Sequence, residues 1–225
     1  ARVLESPLSF TRLTCIAALA LTGLAATTSL TPLRLIDAAL AQTAAEIAHP
    51  SSLGDMALGD AKAPVTIVEY ASMTCPHCAT FTKETFPKLK AAYIDTGKVR
   101  FIFREFPLDL TALAGSMLAR CVGKDDPARF FAMIDILFRQ QEVWALRDPT
   151  GPLIEIAKQT NTSKEQVLAC LKDQKLLDAI KETQDYAVNT LKVNSTPSFF
   201  VNDKAVRGDT SFEAFQKLID PLLKA

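Results

Sequence analysis

Residues 65–78, VTIVEYASMTCPHC, constrain the fold of this chain more than any other stretch. The first part is mostly β-branched or aromatic, which predicts a strand buried on both faces of a sheet. Polar residues follow, and residues 72–74 are candidates for the N-cap of a helix. The pattern therefore predicts a strand that leads directly into a helix, with Cys75 at the helix N-terminus.

Cys75 has the expected surroundings of a reactive thiol. Unpaired N–H groups and the positive end of the helix dipole favour a thiolate there, and Pro76 is tolerated because its missing N–H falls in the first turn. Cys78 lies one helical turn further on, within reach for a very small disulfide ring. His77 can carry positive charge near the Cys75 sulfur and stabilise the thiolate. The spacing indicates disulfide exchange, with Cys75 as nucleophile and Cys78 as resolving thiol.

The C-x-x-C pair has two other interpretations. A zinc site needs four ligands, and the remaining candidates form no second pair at ligand spacing: Cys15, His49, Cys121 and Cys170. We therefore expect no metal and no cofactor. A purely structural disulfide is the other alternative, but so short a ring constrains the unfolded chain little. Reactivity is the better explanation of the pair.

Three features together resemble the DsbA-type thiol oxidoreductases of the bacterial envelope, members of the thioredoxin superfamily. CPHC at residues 75–78 matches the family's active-site tetrapeptide, Glu69 falls where the family has an acidic residue beneath the active site, and Thr196-Pro197 resembles its cis-proline loop. The resemblance covers roughly residues 58–223. It implies an α/β fold, a thioredoxin-like core with an inserted helical subdomain.

The resemblance also implies a role for Pro197. Its peptide bond would be cis and it would pack against Cys75 and Cys78, leaving the Thr196 backbone to pair with an extended substrate segment. From the residues alone, Pro197 is a proline before a strand, where its missing donor costs nothing. Threonine before this proline is found in isomerase and reductase branches of the superfamily and among some of its oxidases, whereas the best-known oxidases carry valine there. Thr196 therefore leaves a dithiol oxidase and a reductase or isomerase open.

Glu69 lies six residues before Cys75 on a strand that is otherwise apolar. Burial would raise the pKa of this carboxyl, and a carboxyl that titrates near neutrality can accept the Cys78 proton when that thiol attacks a mixed disulfide. The alternative is an exposed strand face on which Glu69 titrates normally. We expect the buried position.

Helical periodicity dominates from about residue 109 to residue 191. Before it, residues 99–104 (VRFIFR) alternate as a second strand and complete a parallel, right-handed βαβ unit. After it, a short apolar strand follows Pro197, and residues 211–223 predict a closing amphipathic helix. We therefore predict one thioredoxin-like domain over residues 56–225, with a helical insertion at about 109–191.

Cys121 and Cys170 each lie on the apolar side of a predicted helix in this insertion. Both residues can be buried free thiols. Two remaining cysteines in one subdomain of an exported chain favour a second, structural disulfide, because secreted proteins tend to pair an even number of cysteines.

Residues 1–41 are typical of an export signal peptide. Arg2 and Arg12 precede an uncharged apolar run over residues 13–30, and ALA at residues 39–41 offers a small-residue cleavage site. An uncleaved membrane anchor is the alternative, because a run of about eighteen residues is at the lower edge of a spanning helix. Both interpretations predict that the catalytic part lies in the periplasm, because the two arginines would stay on the cytoplasmic side of the membrane.

Composition and the remaining segment limit the partners. The formal net charge is zero, so the chain lacks the excess of basic residues that is typical of nucleic-acid-binding proteins. Its 225 residues, 48% of them hydrophobic, suffice for one sizeable core. Residues 42–55 are predicted as a loose polar linker with no room for the dimerisation module that disulfide isomerases commonly carry, which argues for a monomer. The resemblance implies reduced exported proteins as substrates and a membrane redox partner that reoxidises the enzyme. The alternative class is a non-catalytic envelope binding protein whose C-x-x-C binds metal or holds a loop.

Overall fold

The computed structural model of this protein describes residues 44–207 and 211–224. The predicted export segment, residues 1–41, lies outside the described residues, and so does Cys15 within it. In the described part, no helix combines the length and the apolar character that crossing a membrane requires.

The fold is centred on a sheet of five strands: β1 (Met56–Leu58), β2 (Val65–Ala71), β3 (Val99–Glu105), β4 (Ser198–Val201) and β5 (Lys204–Arg207). The strands lie in the order β1-β3-β2-β4-β5. β2 and β3 are parallel, whereas β1 pairs with β3, β4 with β2 and β5 with β4 in antiparallel fashion. The central position of β2 explains its continuous apolar sequence, because both of its faces are covered.

The connection from β2 to β3 is one long helix, α1, which completes the parallel unit that the sequence predicts. It consists of four consecutive segments, of which the second and fourth are π-helical: Pro76–Thr80, Phe81–Thr85, Phe86–Leu89 and Lys90–Ile94. The first π-helical turn ends immediately before Phe86-Pro87. Since proline has no N–H to donate, an irregular helical turn next to it is expected.

Six helices between β3 and β4 form the insertion: α2 (Leu110–Gly123), α3 (Pro127–Arg139), α4 (Gln141–Trp144), α5 (Thr150–Ala157), α6 (Lys164–Leu171) and α7 (Gln174–Asn189). A 3-10 turn, Lys158–Thr160, extends α5. A capping box begins α6, since the Ser163 and Gln166 side chains each accept a hydrogen bond from the other residue's backbone N–H. The closing helix α8 (Phe212–Leu222) follows β5. This arrangement is the thioredoxin-like core with an inserted helical subdomain that the sequence predicts.

The two faces of the sheet pack against different helices, because side chains alternate along a strand. On the face that carries Glu69, rings from β3, β4, α1 and α8 form one aromatic cluster: Phe101, Phe199, Phe81 and Phe215. On the face that carries Tyr70, α7 and the helical residues 44–48 cover the sheet. Glu69 therefore points into the core between the sheet and α1.

The prediction of a loose linker does not hold for residues 44–55. Ile47 is buried in the core, and both carboxylate oxygens of Asp55 accept hydrogen bonds from Arg104, at 2.9 and 3.0 Å. The Arg104 guanidinium also donates to the Ile47 carbonyl and to the Tyr70 hydroxyl. A buried guanidinium needs such partners, so the segment is fixed to the sheet. Composition could not predict this attachment, because Arg104 is distant in sequence from both Ile47 and Asp55.

Candidate active site

Cys75 lies where the chain passes from β2 into α1. It is itself the N-cap of α1, with Pro76 at the first helical position, whereas the sequence suggested residues 72–74 as the cap. The polar side chains there have other partners: the Thr74 hydroxyl donates to Asp109 at 2.7 Å, and the Ser72 hydroxyl accepts from the Leu108 N–H at 3.3 Å. These bonds attach the cysteine loop to the segment that begins α2.

The environment of the Cys75 sulfur favours the thiolate and lowers its pKa from the ordinary value near 9 to about 5. The largest cause is the hydrogen bond from the Cys78 thiol, and the Thr196 side chain and two backbone N–H groups at the start of α1 contribute further, while burial opposes them. The Thr196 hydroxyl oxygen is buried and has no hydrogen-bond partner among the described residues, so it is available to the sulfur. Cys75 has the character of a nucleophile.

Cys78 has the opposite character. Its side chain is completely buried, and burial raises the pKa of its thiol well above 9, followed by its hydrogen bond to Cys75 and the negative charge of Glu69. Both cysteines are free thiols in the structure. The pair is therefore polarised, with a thiolate at the outer position and a protonated thiol at the inner one.

Glu69 is buried beneath the cysteines, with only 2% of its surface exposed. Its neighbours across the sheet are Phe103 on β3 and Phe199 on β4. Burial raises the pKa of the carboxyl well above its ordinary range, and the charge of Cys75 adds to the effect. Among the described residues, the carboxylate oxygen Oε1 has no hydrogen-bond partner. The buried position is confirmed, and the role in proton transfer stays a prediction.

The loop before β4 lies against the nucleophile. The Thr196-Pro197 peptide bond is cis, and Pro197 is buried. As a thiol, Cys75 donates from Sγ to the Thr196 carbonyl oxygen at 3.3 Å. The structure thus brings together the two motifs, 121 residues apart in the chain, that the sequence singled out.

Pro76 and His77 are exposed at the start of α1. The contribution of His77 to the lowered pKa of Cys75 comes from its backbone N–H. The electrostatic effect of the imidazole ring on the sulfur stays a prediction.

Sequence reasoning missed one residue that holds the site in place, Gln141 at the start of α4. Its side-chain amide is buried and donates to the carbonyl oxygens of Met73 and Cys75, at 2.9 and 3.0 Å. It therefore fixes the backbone on both sides of Thr74. No local pattern could have revealed this contact, because the bonded carbonyls are 68 and 66 residues away in sequence.

The two cysteines of the insertion, Cys121 on α2 and Cys170 on α6, form a disulfide with a Cα–Cα distance of 6.0 Å. Within residues 44–207 and 211–224, no three His, Cys, Asp or Glu side chains come together in a group that could hold a metal ion.

The family model described as Thioredoxin matches residues 51–221. A putative protein-disulfide oxidoreductase from Rickettsia felis is 35% identical over 171 residues, which are 76% of this chain and 60% of the relative. Disulfide bond formation protein D from Bacillus subtilis is 30% identical over 185 residues, covering 78% of this chain and 80% of the relative. The crystal structure of Wolbachia pipientis alpha-DsbA1 has a TM-score of 0.73 and 35% identity, covering 80% of this chain and 96% of that one. The chain spans about 60% of the length of the Rickettsia relative.

Proposed function

Since this chain belongs to the DsbA-type thiol-disulfide oxidoreductases of the thioredoxin superfamily, we propose that it donates its Cys75–Cys78 disulfide to reduced, exported polypeptides. One observation carries the proposal, the opposed pKa shifts of the two thiols. A stabilised Cys75 thiolate stabilises the reduced enzyme, and this makes the disulfide a stronger oxidant.

Donation proceeds in two exchanges. A substrate thiolate attacks the Cys75 sulfur, the bond to Cys78 breaks, and Cys78 leaves with the electron pair and takes a proton from the Glu69 carboxyl. A second substrate thiolate then attacks the substrate sulfur of the mixed disulfide, and Cys75 leaves as a thiolate. Two electrons pass from the substrate to the enzyme. The low pKa of Cys75 favours the second step, because a weakly basic thiolate leaves faster.

Recharging reverses these exchanges. The Cys75 thiolate attacks a disulfide of a membrane redox partner, and Cys78 then attacks Cys75 to release that partner. For this attack Cys78 must lose its proton, and Glu69 is the buried carboxyl beside it that can accept the proton. Glu69 therefore serves as acid in one half of the cycle and as base in the other.

An exposed apolar rim beside the site supports a polypeptide substrate. Four large apolar side chains are more than half exposed: Leu108, Leu110, Val143 and Leu146. All four belong to segments attached to the Cys75 loop, through the bonds of Ser72 and Thr74 on one side and of Gln141 on the other. Unfolded chains expose apolar residues, so such a rim suits them better than folded proteins.

The export segment predicted for residues 1–41 supports a periplasmic location, and so does the Cys121–Cys170 disulfide, since disulfides persist in oxidising compartments. Reduced exported proteins are the substrates and a membrane protein is the oxidant in this proposal. The enzyme acts as a monomer.

The reduction potential tests the direction of the reaction. We expect equilibration with glutathione to give a potential closer to the value of about −120 mV of a strong oxidant than to the value of about −270 mV of thioredoxin. A potential at or below the thioredoxin value would reject the oxidase. A non-catalytic binding protein would show neither a strongly oxidising potential nor exchange with a reduced substrate.

A reductase or isomerase of the same fold is the second candidate, because threonine before the cis-proline is found in those branches as well as among some oxidases. A substrate with scrambled disulfides separates the two functions. An oxidase acts on the reduced substrate and leaves the scrambled one largely unchanged, whereas an isomerase restores activity to the scrambled one.

Glu69→Gln tests the proton step, because glutamine keeps the shape and removes the acid and base. We expect Cys78-dependent resolution of a mixed disulfide to slow about a hundredfold, while the pKa of Cys75 changes less. Resolution at the unmodified rate across neutral pH would remove Glu69 from the mechanism.

A further inference from the structure

A small cavity lined by the buried residue Glu69 lies between the sheet, α1 and α3. Its volume is about 20 Å³. Its polar lining consists of Glu69, Thr82 and Asp135, and the rest of the wall is apolar: Phe86, Phe101, Phe103, Phe131 and Ile134. Glu69 is 2% exposed, and its Oε1 atom has no hydrogen-bond partner among the described residues. Burying a carboxyl oxygen costs free energy unless the oxygen makes a hydrogen bond.

The cavity matches one water molecule in size and in chemistry. A buried water needs roughly 10–15 Å³ and two to four polar partners. Glu69 supplies an acceptor or a donor according to its protonation, the Thr82 hydroxyl supplies both, and Asp135 supplies acceptors. The phenyl rings and Ile134 leave no room for a larger ligand.

The three polar groups also differ in their access to solvent. Glu69 and Thr82 are buried, whereas the Asp135 side chain on α3 is 44% exposed and accepts a hydrogen bond from Arg139 at 2.8 Å. The cavity is therefore lined by the buried Glu69 on one side and by a half-exposed residue of the helical insertion on the other. The titratable groups that face Glu69 are the two cysteines of α1 and Asp135 of α3, since its neighbours on β3 and β4 are phenylalanines.

We propose that this cavity holds one water molecule which carries protons between Glu69 and Asp135, so that Asp135 connects the active site with solvent. The inference rests on the proposed function, because it takes Glu69 as the acid and base for Cys78. The inference gives the helical insertion a role in thiol-disulfide exchange: α3 supplies Asp135, in addition to packing against the sheet.

The relay transfers only protons and includes no redox step. After Glu69 has taken the proton of Cys78, the protonated carboxyl donates to the water, the water donates to the Asp135 carboxylate, and Asp135 releases the proton to solvent. In the donation half of the cycle the same groups act in the reverse order and return a proton to Glu69. Asp135 and Thr82 are positioning residues for proton transfer, because neither touches the reacting sulfurs.

Asp135→Asn is the first variant, since asparagine keeps the size and the exposed position and removes the proton acceptor. We expect Cys78-dependent resolution of a mixed disulfide, followed by rapid mixing, to slow about tenfold. Two controls isolate the carboxyl. Arg139→Gln removes only the ion-pair partner, and Glu155→Gln removes a comparable exposed carboxylate that pairs with Lys158 elsewhere. Both controls should retain the unmodified rate.

Added imidazole then distinguishes proton transfer from a structural effect. Imidazole can accept protons at the solvent end of the cavity without entering it, so it should return the Asp135→Asn rate to within about twofold of the unmodified enzyme. Thr82→Val should slow the same step in the same direction, because it removes the hydroxyl and keeps the volume. Thr82→Ser should retain the rate, because it keeps the hydroxyl.

The outcomes separate this inference from the proposed function. If Glu69→Gln is slow while Asp135→Asn resolves at the unmodified rate, the relay is wrong and the role of Glu69 stands. If Asp135→Asn is slow but imidazole does not restore it, Asp135 acts through structure and the relay is rejected. If Glu69→Gln itself is as fast as the unmodified enzyme, the proton role of Glu69 and the relay both fail.

Discussion

Two parts of the molecule contain a cysteine pair and a buried glutamate, but the cysteines and the carboxyl have different partners in each part. In the reactive centre, Cys75 and Cys78 are free thiols and Glu69 has an oxygen without a partner among the described residues. In the locked centre, a disulfide joins Cys121 and Cys170, and Arg120, the residue before Cys121, is paired with a buried glutamate. The groups are the same, but their partners differ.

The glutamate of the locked centre is Glu105 on β3, which is completely buried. Its two oxygens accept from Nε and Nη2 of Arg120, the latter at 2.9 Å, and Arg120 also donates to the Gly54 carbonyl. A buried carboxylate with a guanidinium partner is stable in its charged form. Glu69 has no such partner among the described residues, and burial raises the pKa of its carboxyl well above the ordinary range. The difference shows that missing partners, rather than burial alone, mark the reactive centre.

The largest expected effect is on exchange activity, which Cys75→Ser should reduce to the uncatalysed level. A hydroxyl has a much higher pKa than a thiol and cannot supply the nucleophile. Reduction of an insulin-like substrate measures the effect. Cys78→Ser should instead trap mixed disulfides, which non-reducing electrophoresis detects. Full activity of Cys75→Ser would show that the nucleophile is misassigned.

Arg120→Met tests the ion pair of the locked centre. It leaves Glu105 buried without its cation, and we expect the free energy of unfolding to fall by about 3–5 kcal/mol. The double variant Arg120→Met with Glu105→Leu should recover most of this loss, because apolar residues can replace a buried ion pair at little cost. Denaturant unfolding measures both variants. An equal loss in the double variant would mean that packing, rather than charge, accounts for the effect.

The disulfide of the locked centre should stabilise the protein without taking part in catalysis. It closes a loop across 49 residues, and replacing both Cys121 and Cys170 by alanine should cost up to about 4 kcal/mol, usually less in practice. The exchange rate should stay that of the parent protein. Free thiols at both positions in protein purified without reductant, detected by mass spectrometry, would refute the pairing.

The smallest expected effect is the pH dependence of stability that Glu69 causes. Its pKa is raised in the folded protein, so the folded state binds more protons than the unfolded state, and stability falls as pH rises above the unfolded value of about 4.3. Glu69→Gln removes this penalty, so its stability relative to the parent should increase with pH. A difference that stays constant between pH 4 and pH 8, in unfolding experiments at each pH, would contradict the unpaired state of Glu69.

The reactive centre could be predicted from the sequence because its signals are local. The apolar strand, the C-x-x-C spacing and the proline at the first helical position all lie within residues 65–78. Local backbone geometry is therefore enough to predict the strand, the helix start and the short distance between the two cysteines. The burial of Glu69 followed from its apolar neighbours on one strand. Local patterns therefore identified the strand, the helix start and the reactive cysteines.

The sequence could not predict contacts that depend on the packing of distant segments. Asp55 and Arg104, or Glu105 and Arg120, have no shared pattern that predicts their pairing. β1 has only three residues, too few for any periodicity to show, and its pairing with β3 decides its structure. Gln141 was missed for the same reason, since only the tertiary fold brings α4 to the Cys75 loop.

The most direct test of the polarised cysteine pair is a pH titration of the thiolate absorbance of the reduced protein, with the signal of Cys75→Ser subtracted. The difference isolates Cys75, because the Cys75→Ser variant lacks only this thiol. The Cys121–Cys170 disulfide adds no signal, since disulfide-bonded cysteines do not titrate. We expect the absorbance to rise in one step with a pKa of about 5, and Cys78 to stay protonated beyond the ordinary thiol range. A Cys75 step near the unperturbed value of about 8.5, or two cysteines that titrate together, would contradict the account.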